Sequence, residues 1–425
     1  MGNSGRYLLA ILLFIALPVY QLSAQDKPSD ERYETAWNSL GFRSIGPAFT
    51  SGRIADFAVN PDNYSEFYVA AAAGGVWKTT NRGISFTPVF DNEGSYSIGV
   101  VEIDLNNHNV VWVGTGENNN QRSVNYGDGV YKSVDGGKSW KNMGLKNSEH
   151  IGMIAIHPEN SEVVYVAATG PLWKSGGDRG LYKTVDGGEN WEKVLDISPE
   201  TGIHEVHLDP RDPEVIYAVA HQRRRHVFTY ISGGPESAVY KSEDGGASFR
   251  KIMKGMPGGD IGRIGMDISP ADPDVLYAVV EAQSGKSGFY RSTDRGESWE
   301  RRSSYSSSGN YYSEVIADPV DAELVYVMNT YAGVSEDGGK TFNNVGEANK
   351  HIDNHALWIN PDDPDYLLNG NDGGVYESYD RGKTWRFYTN LPVTQFYKVA
   401  VDNDYPFYNV YGGTQDNFTF GGPSR

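Results

Sequence analysis

The chain has 425 residues, 55 acidic against 37 basic side chains for a formal charge of -18, 12% aromatic residues and no cysteine. The negative surplus argues against nucleic acid as a partner, since phosphate binding needs a basic surface. The absence of cysteine excludes disulfides, thiol catalysis, zinc–thiolate sites and attachment through a lipidated Cys.

In chain order, one basic residue at Arg6, an apolar run from Tyr7 to Val19 and the small residues Ser23 and Ala24 read as a secretory signal cleaved before Gln25. That run is too short to span a bilayer, and an uncleaved anchor is the less favoured reading. Residues 1–24 are therefore expected to be a signal peptide and 25–36 an N-terminal linker. The product is expected to be exported to the periplasm, cell surface or medium, with no membrane span after cleavage.

From residue 37 the pattern changes to a repeat. A box, Ser/Thr-x-Asp-x-Gly-x-Ser/Thr-Trp/Phe, recurs seven times with Asn81, Asp135, Asp186, Asp244, Asp294, Asp337 and Asp380 at its third position, spaced 54, 51, 58, 50, 43 and 43 residues apart. Around each box the grammar is the same. In the third repeat an alternating run Ile151 to Ile156, a turn His157 to Asn160, an apolar run Val163 to Ala168 and Leu181-Tyr182-Lys183 precede the box and Trp191. Period-two alternation broken by Pro, Asp, Asn and Gly predicts four short antiparallel strands per repeat. Four strands in 40 to 50 residues is one propeller blade. The predicted fold is all-β, a seven-bladed β-propeller over 37–396, with 397–425 starting a further blade or a second, downstream propeller.

Within the box, Asp accepts backbone N–H bonds, the Gly two residues on supplies a positive φ, and the aromatic goes between blades. Tyr68, Trp112, Tyr165, Tyr217, Tyr277 and Tyr326 hold a repeated strand position and are read as core. The repeated acids are structural, leaving function to the segments that do not repeat. Turns between first and second strands are uniform, whereas connections from second to third strand run from 9 residues (Tyr68 to Trp77) to 23 (Tyr217 to Tyr240). Variable loops on a rigid scaffold are where binding and chemistry concentrate. That face collects the ligand-binding candidates Glu117, Asn118, Arg122, Asp128, His204, Arg224, His351, Asp353, His355 and Asp372.

His351, Asp353 and His355 alternate along an extended segment, so two imidazoles and a carboxylate face one way. Metal binding is geometrically open to them, but hydrogen bonding to a ligand or a neighbouring blade is favoured, and no metal or cofactor is expected. The cluster Arg223-Arg224-Arg225-His226 is read as pairing with acidic neighbours in preference to binding an anionic ligand group.

The box resembles the Asp-box, or bacterial neuraminidase repeat, of the sialidase-like, xyloglucanase-like and sortilin-type propellers. A narrower likeness rests on Ile45-Gly46-Pro47 with Gly52-Arg53-Ile54, Gly114 to Asn118, Arg223 to His226, His351 to Trp358, Asn371-Asp372-Gly373-Gly374 and Gly412 to Asn417. These are similar to bacterial secreted proteins labelled glycosyl hydrolase or sortilin N-terminal domain. The sialidase likeness fails at Gly41 to Pro47, which lacks that family's Arg-Ile-Pro signature. Xyloglucanase-like propellers imply a catalytic Asp just before the Gly-Gly of the first blade, where this chain has Ala70 to Ala73. Their second acid lies in a second propeller.

Two functions follow. The favoured expectation is a ligand-binding segment for glycan or peptide within a larger sortilin-like or glycosyl-hydrolase-like protein. The alternative is a xyloglucanase-like glycoside hydrolase acting with the downstream propeller, for which Glu117, Asp128, Asp353 and Asp372 are the carboxylates considered. They are not expected to converge as a pair with one raised pKa.

Overall fold

Alternation of apolar and polar residues along each run buries one face after the other. In the computed structural model, which describes residues 52–425 except Ser284, these runs pair as antiparallel strands in chain order. The first sheet is Ile54–Val59, Phe67–Ala71, Gly75–Thr79 and Thr87–Pro88. The second is Ile98–Ile103, Val111–Thr115, Val130–Ser133 and Lys141–Gly144, and the third is Ile151–Ile156, Val164–Ala168, Gly180–Thr184 and Glu192–Leu195. The fourth, fifth, sixth and seventh sheets begin at Thr201, Ile261, Val315 and Asn354 and keep the same order. The fourth adds a strand, Tyr230–Ser232, that pairs with an extended second strand, Asp212–Arg225. A last sheet of three strands comprises Phe396–Val401, Asn409–Thr414 and Thr419–Pro423. No helix occurs among the described residues. The signal, the linker and the Ile45–Pro47 motif lie outside them.

Apolar side chains close the seams between successive sheets. Tyr68 and Val76 meet Val101 and Val113 between the first and second, and Tyr217 and Val219 meet Ile264 and Met266 between the fourth and fifth. The last seam joins end to beginning, with Leu368, Val375 and Tyr388 of the seventh sheet against Phe67, Val69 and Ala71 of the first. First strands of successive sheets stand side by side from the first sheet to the sixth, and that of the seventh stands beside that of the first. The architecture is β-propeller-like: sheets packed face to face around a centre lined by their first strands. All six repeated strand aromatics are buried.

The seven box turns share one geometry. Ser133 Oγ donates to Asp135 at 2.9 Å, Asp135 accepts the Ser139 backbone N–H at 2.9 Å and Ser139 Oγ at 2.6 Å, and Gly137 N–H reaches back to Ser133 Oγ at 2.9 Å. The same bonds recur around Asp186, Asp244, Asp294, Asp337 and Asp380, and Asn81 substitutes its amide oxygen. The left-handed region is occupied by two residues, not one. The position after the Asp also has positive φ, and three turns place Arg82, Arg295 and Arg381 there at 53°, 58° and 59°.

Each box also ties its sheet to the preceding one. The Gly136 carbonyl accepts Tyr68 Oη at 3.0 Å and Lys78 Nζ at 3.1 Å from the first sheet. The box indole points back, with Trp191 Nε1 donating to Met143 O at 2.8 Å and Trp299 Nε1 to Ile252 O at 2.8 Å. Of the box aromatics expected between sheets, Trp299 and Trp385 are buried. Trp140, Trp191, Phe249 and Phe342 are only partly covered.

Candidate functional site

The connections from second to third strand meet on one face, as their shared parity requires. At the turn after Leu367–Asn371, Asp372 points to Arg53, just ahead of the first sheet. Arg53 Nε donates to Asp372 Oδ1 at 2.7 Å and Nη2 to Oδ2 at 3.0 Å, while Nη1 reaches Glu117 Oε2 at 3.3 Å. His355, at the start of the seventh sheet, places Nε2 2.9 Å from Asp372 Oδ1. The turn before Thr419–Pro423 adds Gln415, whose Nε2 donates to Asp372 Oδ2 at 3.2 Å and Asp416 Oδ2 at 2.9 Å.

The two carboxyl groups differ in environment. Burial alone would raise the Asp372 pKa, but His355 and Arg53 override it and hold this carboxylate well below the usual range. Partial desolvation and the adjacent Asp372 charge push Asp416 up to about 6. Asp416 is exposed at the rim, so a proton there is accessible. Asp416 and Asp353 both occupy the left-handed region, at φ 57° and 63°. Asp accepts this conformation more readily than most residues, and such outliers concentrate where side chains are aimed for a task.

Glu117 starts a loop that crosses the centre of the ring. Its Oε1 accepts Asn125 Nδ2 at 2.8 Å and its Oε2 Asn119 Nδ2 at 2.7 Å. The next residues are held from several sheets: Asn118 Nδ2 donates to Glu314 Oε1 at 3.3 Å, and Asn120 Nδ2 donates to Gly309 O at 2.7 Å. His150 Nδ1 lies 2.9 Å from Glu117 O.

The remaining sequence candidates scatter. Asp128 accepts Tyr131 Oη at 2.6 Å and belongs to its own sheet. Arg122 is exposed and His204 is buried, with Nε2 2.6 Å from Ile264 O. Arg224 pairs with Glu200 at 2.6 Å as expected, but its neighbours do not follow: Arg223 and Arg225 donate to the backbone carbonyls of Asn119 and Asn120 at 3.0 and 2.7 Å. His351, Asp353 and His355 take three different partners, respectively Ile352 O, Tyr312 Oη and Asp372. Among the described residues no group of three or more His, Asp or Glu is arranged to hold a metal ion.

The carboxylates take an arrangement that the sequence did not announce. Glu117 and Asp372 both hydrogen-bond the one Arg53 guanidinium, and that cation together with His355 favours the ionised form of Asp372. The raised carboxyl is Asp416, which the sequence reading did not consider as a site residue; nor did it consider Arg53 or Gln415. All three sit in the non-repeating segments Gly52 to Ile54 and Gly412 to Asn417, which is the signal that could have singled them out.

No family model matches the chain. It is similar to a probable oligoxyloglucan-reducing end-specific xyloglucanase of Neosartorya fischeri, 23% identical over 361 residues, covering 73% of this chain and 41% of that protein. A xyloglucanase of Hypocrea jecorina is 29% identical over 198 residues, covering 43% of this chain and 21% of that protein. The chain thus spans less than half the length of these relatives. Among solved structures, the GH74 xyloglucanase from Xanthomonas campestris superposes with a TM-score of 0.65 at 16% identity, over 87% of this chain and 59% of that one. These likenesses overturn the reading of a non-catalytic ligand-binding segment and favour the hydrolase alternative.

Proposed function

We propose that this chain is the propeller portion of an exported glycoside hydrolase that cleaves xyloglucan or a related polysaccharide on its variable-loop face. The observation that carries the reading is the Asp372–Asp416 pair, in which one carboxylate is held ionised and its neighbour is pushed up to about 6. Environments that push two carboxyl groups apart in pKa divide acid from base roles. Asp416 is the general acid that protonates the glycosidic oxygen. Asp372 shares Gln415 Nε2 with it and is too close to flank the sugar from the other side, where glycosidases keep carboxyl groups about 5 Å or more apart. Its role is to set the proton affinity of Asp416. Asp353, on the same face, is the candidate for the opposing carboxylate.

The turn bonds and the closed cycle of seams support a seven-bladed ring with Asp-box repeats over 37–396. The three strands between Phe396 and Pro423 repeat the opening of a blade, and 397–425 is read as the start of a further one. Residues 1–24 are read as the export signal.

The test is hydrolysis of xyloglucan and its oligosaccharides by the protein that carries this chain, followed as new reducing ends. Asp416→Asn should lose about 10²–10⁴-fold in rate, the range for a general acid. Full turnover in Asp416→Asn would remove it from the mechanism, and a protein inert on every such glycan would sink the hydrolase reading.

A further inference from the structure

Asp353 accepts a tyrosine hydroxyl with one carboxylate oxygen and leaves the other open. Tyr312 Oη donates to Oδ1 at 2.5 Å, while among the described residues Oδ2 takes part in no hydrogen bond or ion pair. The group is only half-buried. Asp128 and Glu377 also accept tyrosine hydroxyls, but each has both oxygens engaged. Asp128 takes Tyr131 on Oδ2 and Thr115 on Oδ1, and Glu377 takes Tyr388 on Oε2 and the Arg386 guanidinium on Oε1.

Donor and acceptor are both held firmly. Tyr312 is 7% exposed. Its backbone N–H donates to Ser308 O at 2.9 Å, and Ser307 Oγ ties the loop together, accepting Ser313 N–H at 3.2 Å and donating to Met328 O at 2.9 Å. The Tyr312 ring stands 5.1 Å from that of His355, the partner of Asp372. Thr330 Oγ1 donates to Tyr312 Oη at 3.4 Å, which leaves the phenol proton directed at Asp353. Burial and then the bond to Asp353 push that phenol far above its ordinary value, so the proton stays in place. On the other side, Asp353 N–H donates to Thr330 O at 2.8 Å, and Asp353 O accepts Asp372 N–H at 3.2 Å. Asp353 and Ser313 both lie in the left-handed region, at φ 63° and 84°. Such conformations persist only where the surroundings over-determine them.

A carboxylate that serves a turn or a seam here bonds through both oxygens, whereas one that reacts needs a free oxygen on a group fixed in rotation. We propose that Tyr312 is a positioning residue: it pins Oδ1 of Asp353 and thereby presents Oδ2 as the reacting oxygen of the carboxylate opposite Asp416. The inference rests on the hydrolase reading and adds to it which oxygen reacts and what aims it.

Tyr312→Phe tests it, because that change removes the hydroxyl and keeps the ring beside His355. In hydrolysis of xyloglucan oligosaccharides by the protein that carries this chain, kcat should fall about 10²-fold, the scale for a reacting group misplaced by about an ångström. KM should stay unchanged, and Tyr312→Phe should cost nothing further in the Asp353→Asn background. An unchanged kcat, or the full loss repeated in that background, overturns the proposal, while turnover by the unmodified protein still upholds the hydrolase reading. Diffraction from Tyr312→Phe crystals needs no turnover. An Asp353 carboxyl group turned from its position in the unmodified protein supports the anchoring role, and an unmoved one overturns it even where the hydrolase reading fails for want of activity.

Discussion

Arg53 and Asp372 lie 319 residues apart in the chain and meet through two hydrogen bonds, from Nε to Oδ1 at 2.7 Å and from Nη2 to Oδ2 at 3.0 Å. The pair spans the same junction as the apolar seam between the seventh and first sheets, so one contact closes the ring and orders the site.

Breaking it leaves the buried Asp372 and Glu117 carboxylates without their shared cation. Removal of one partner from a buried ion pair costs about 3–5 kcal/mol, and Arg53→Gln should fall in that range by chemical denaturation. Arg53→Lys should recover only part, because an ammonium does not reproduce the planar two-bond fork. In the double variant Arg53→Gln with Asp372→Asn the losses should be less than additive, as for residues in direct contact. Additive losses would show that the pair is not the stabilising unit.

The repeated turn separates two contributions to stability. Trp299 is buried in the seam between the fourth and fifth sheets and donates to Ile252 O, so Trp299→Ala should cost about 3–5 kcal/mol. Asp135 sits on the surface, where solvent screens its interactions, and Asp135→Ala should cost distinctly less. The reverse order in thermal melts would contradict this assignment.

Much of the scaffold was legible because it is local. The run Ile151 to Ile156 is observed as the strand Ile151–Ile156, and Val163 to Ala168 as Val164–Ala168. Alternation and turn residues determine such segments without distant help. The site was less legible because its contacts are long-range. Arg53 has no acidic neighbour in sequence that announces Asp372, and nothing in the run Arg223 to Arg225 reveals that the middle residue takes a carboxylate while its neighbours take carbonyls. Ring closure decides both, and no window of the sequence contains it.

The inner strands predict a pH dependence of stability. Burial pushes Glu102 and Glu314 up to about 8 and Asp56 to about 7. Their folded-state pKa values exceed those of the unfolded chain, about 4. The folded protein therefore binds more protons between these limits, and the stabilisation present below about pH 4 is lost as pH rises through 7 to 8. Glu102→Gln removes one such group. Its stability should match the unmodified protein near pH 4 and exceed it at pH 8 by about 1–3 kcal/mol, the scale for desolvating a buried polar group. A gain independent of pH would mean that Glu102 is not the titrating residue.

The pH profile of hydrolysis tests the division of labour between Asp372 and Asp416. A general acid acts only while protonated, so the rate should fall as pH rises through about 6, where Asp416 loses its proton. Asp372 contributes to that raised value by its charge. Replacing it in Asp372→Asn should therefore lower the Asp416 pKa towards the ordinary carboxyl value near 4, moving the alkaline limb of the profile to lower pH. The direction discriminates between roles. If Asp372 only supports the fold, its loss reduces kcat and leaves the limb in place. If it sets the proton affinity of Asp416, the limb moves, and activity at pH 7 falls more than activity at pH 5. The same shift should appear in a direct titration of Asp416 by carboxyl NMR, which needs no substrate. An unmoved limb together with an unmoved titration would separate the two carboxyl groups and return the acid to another residue of the rim.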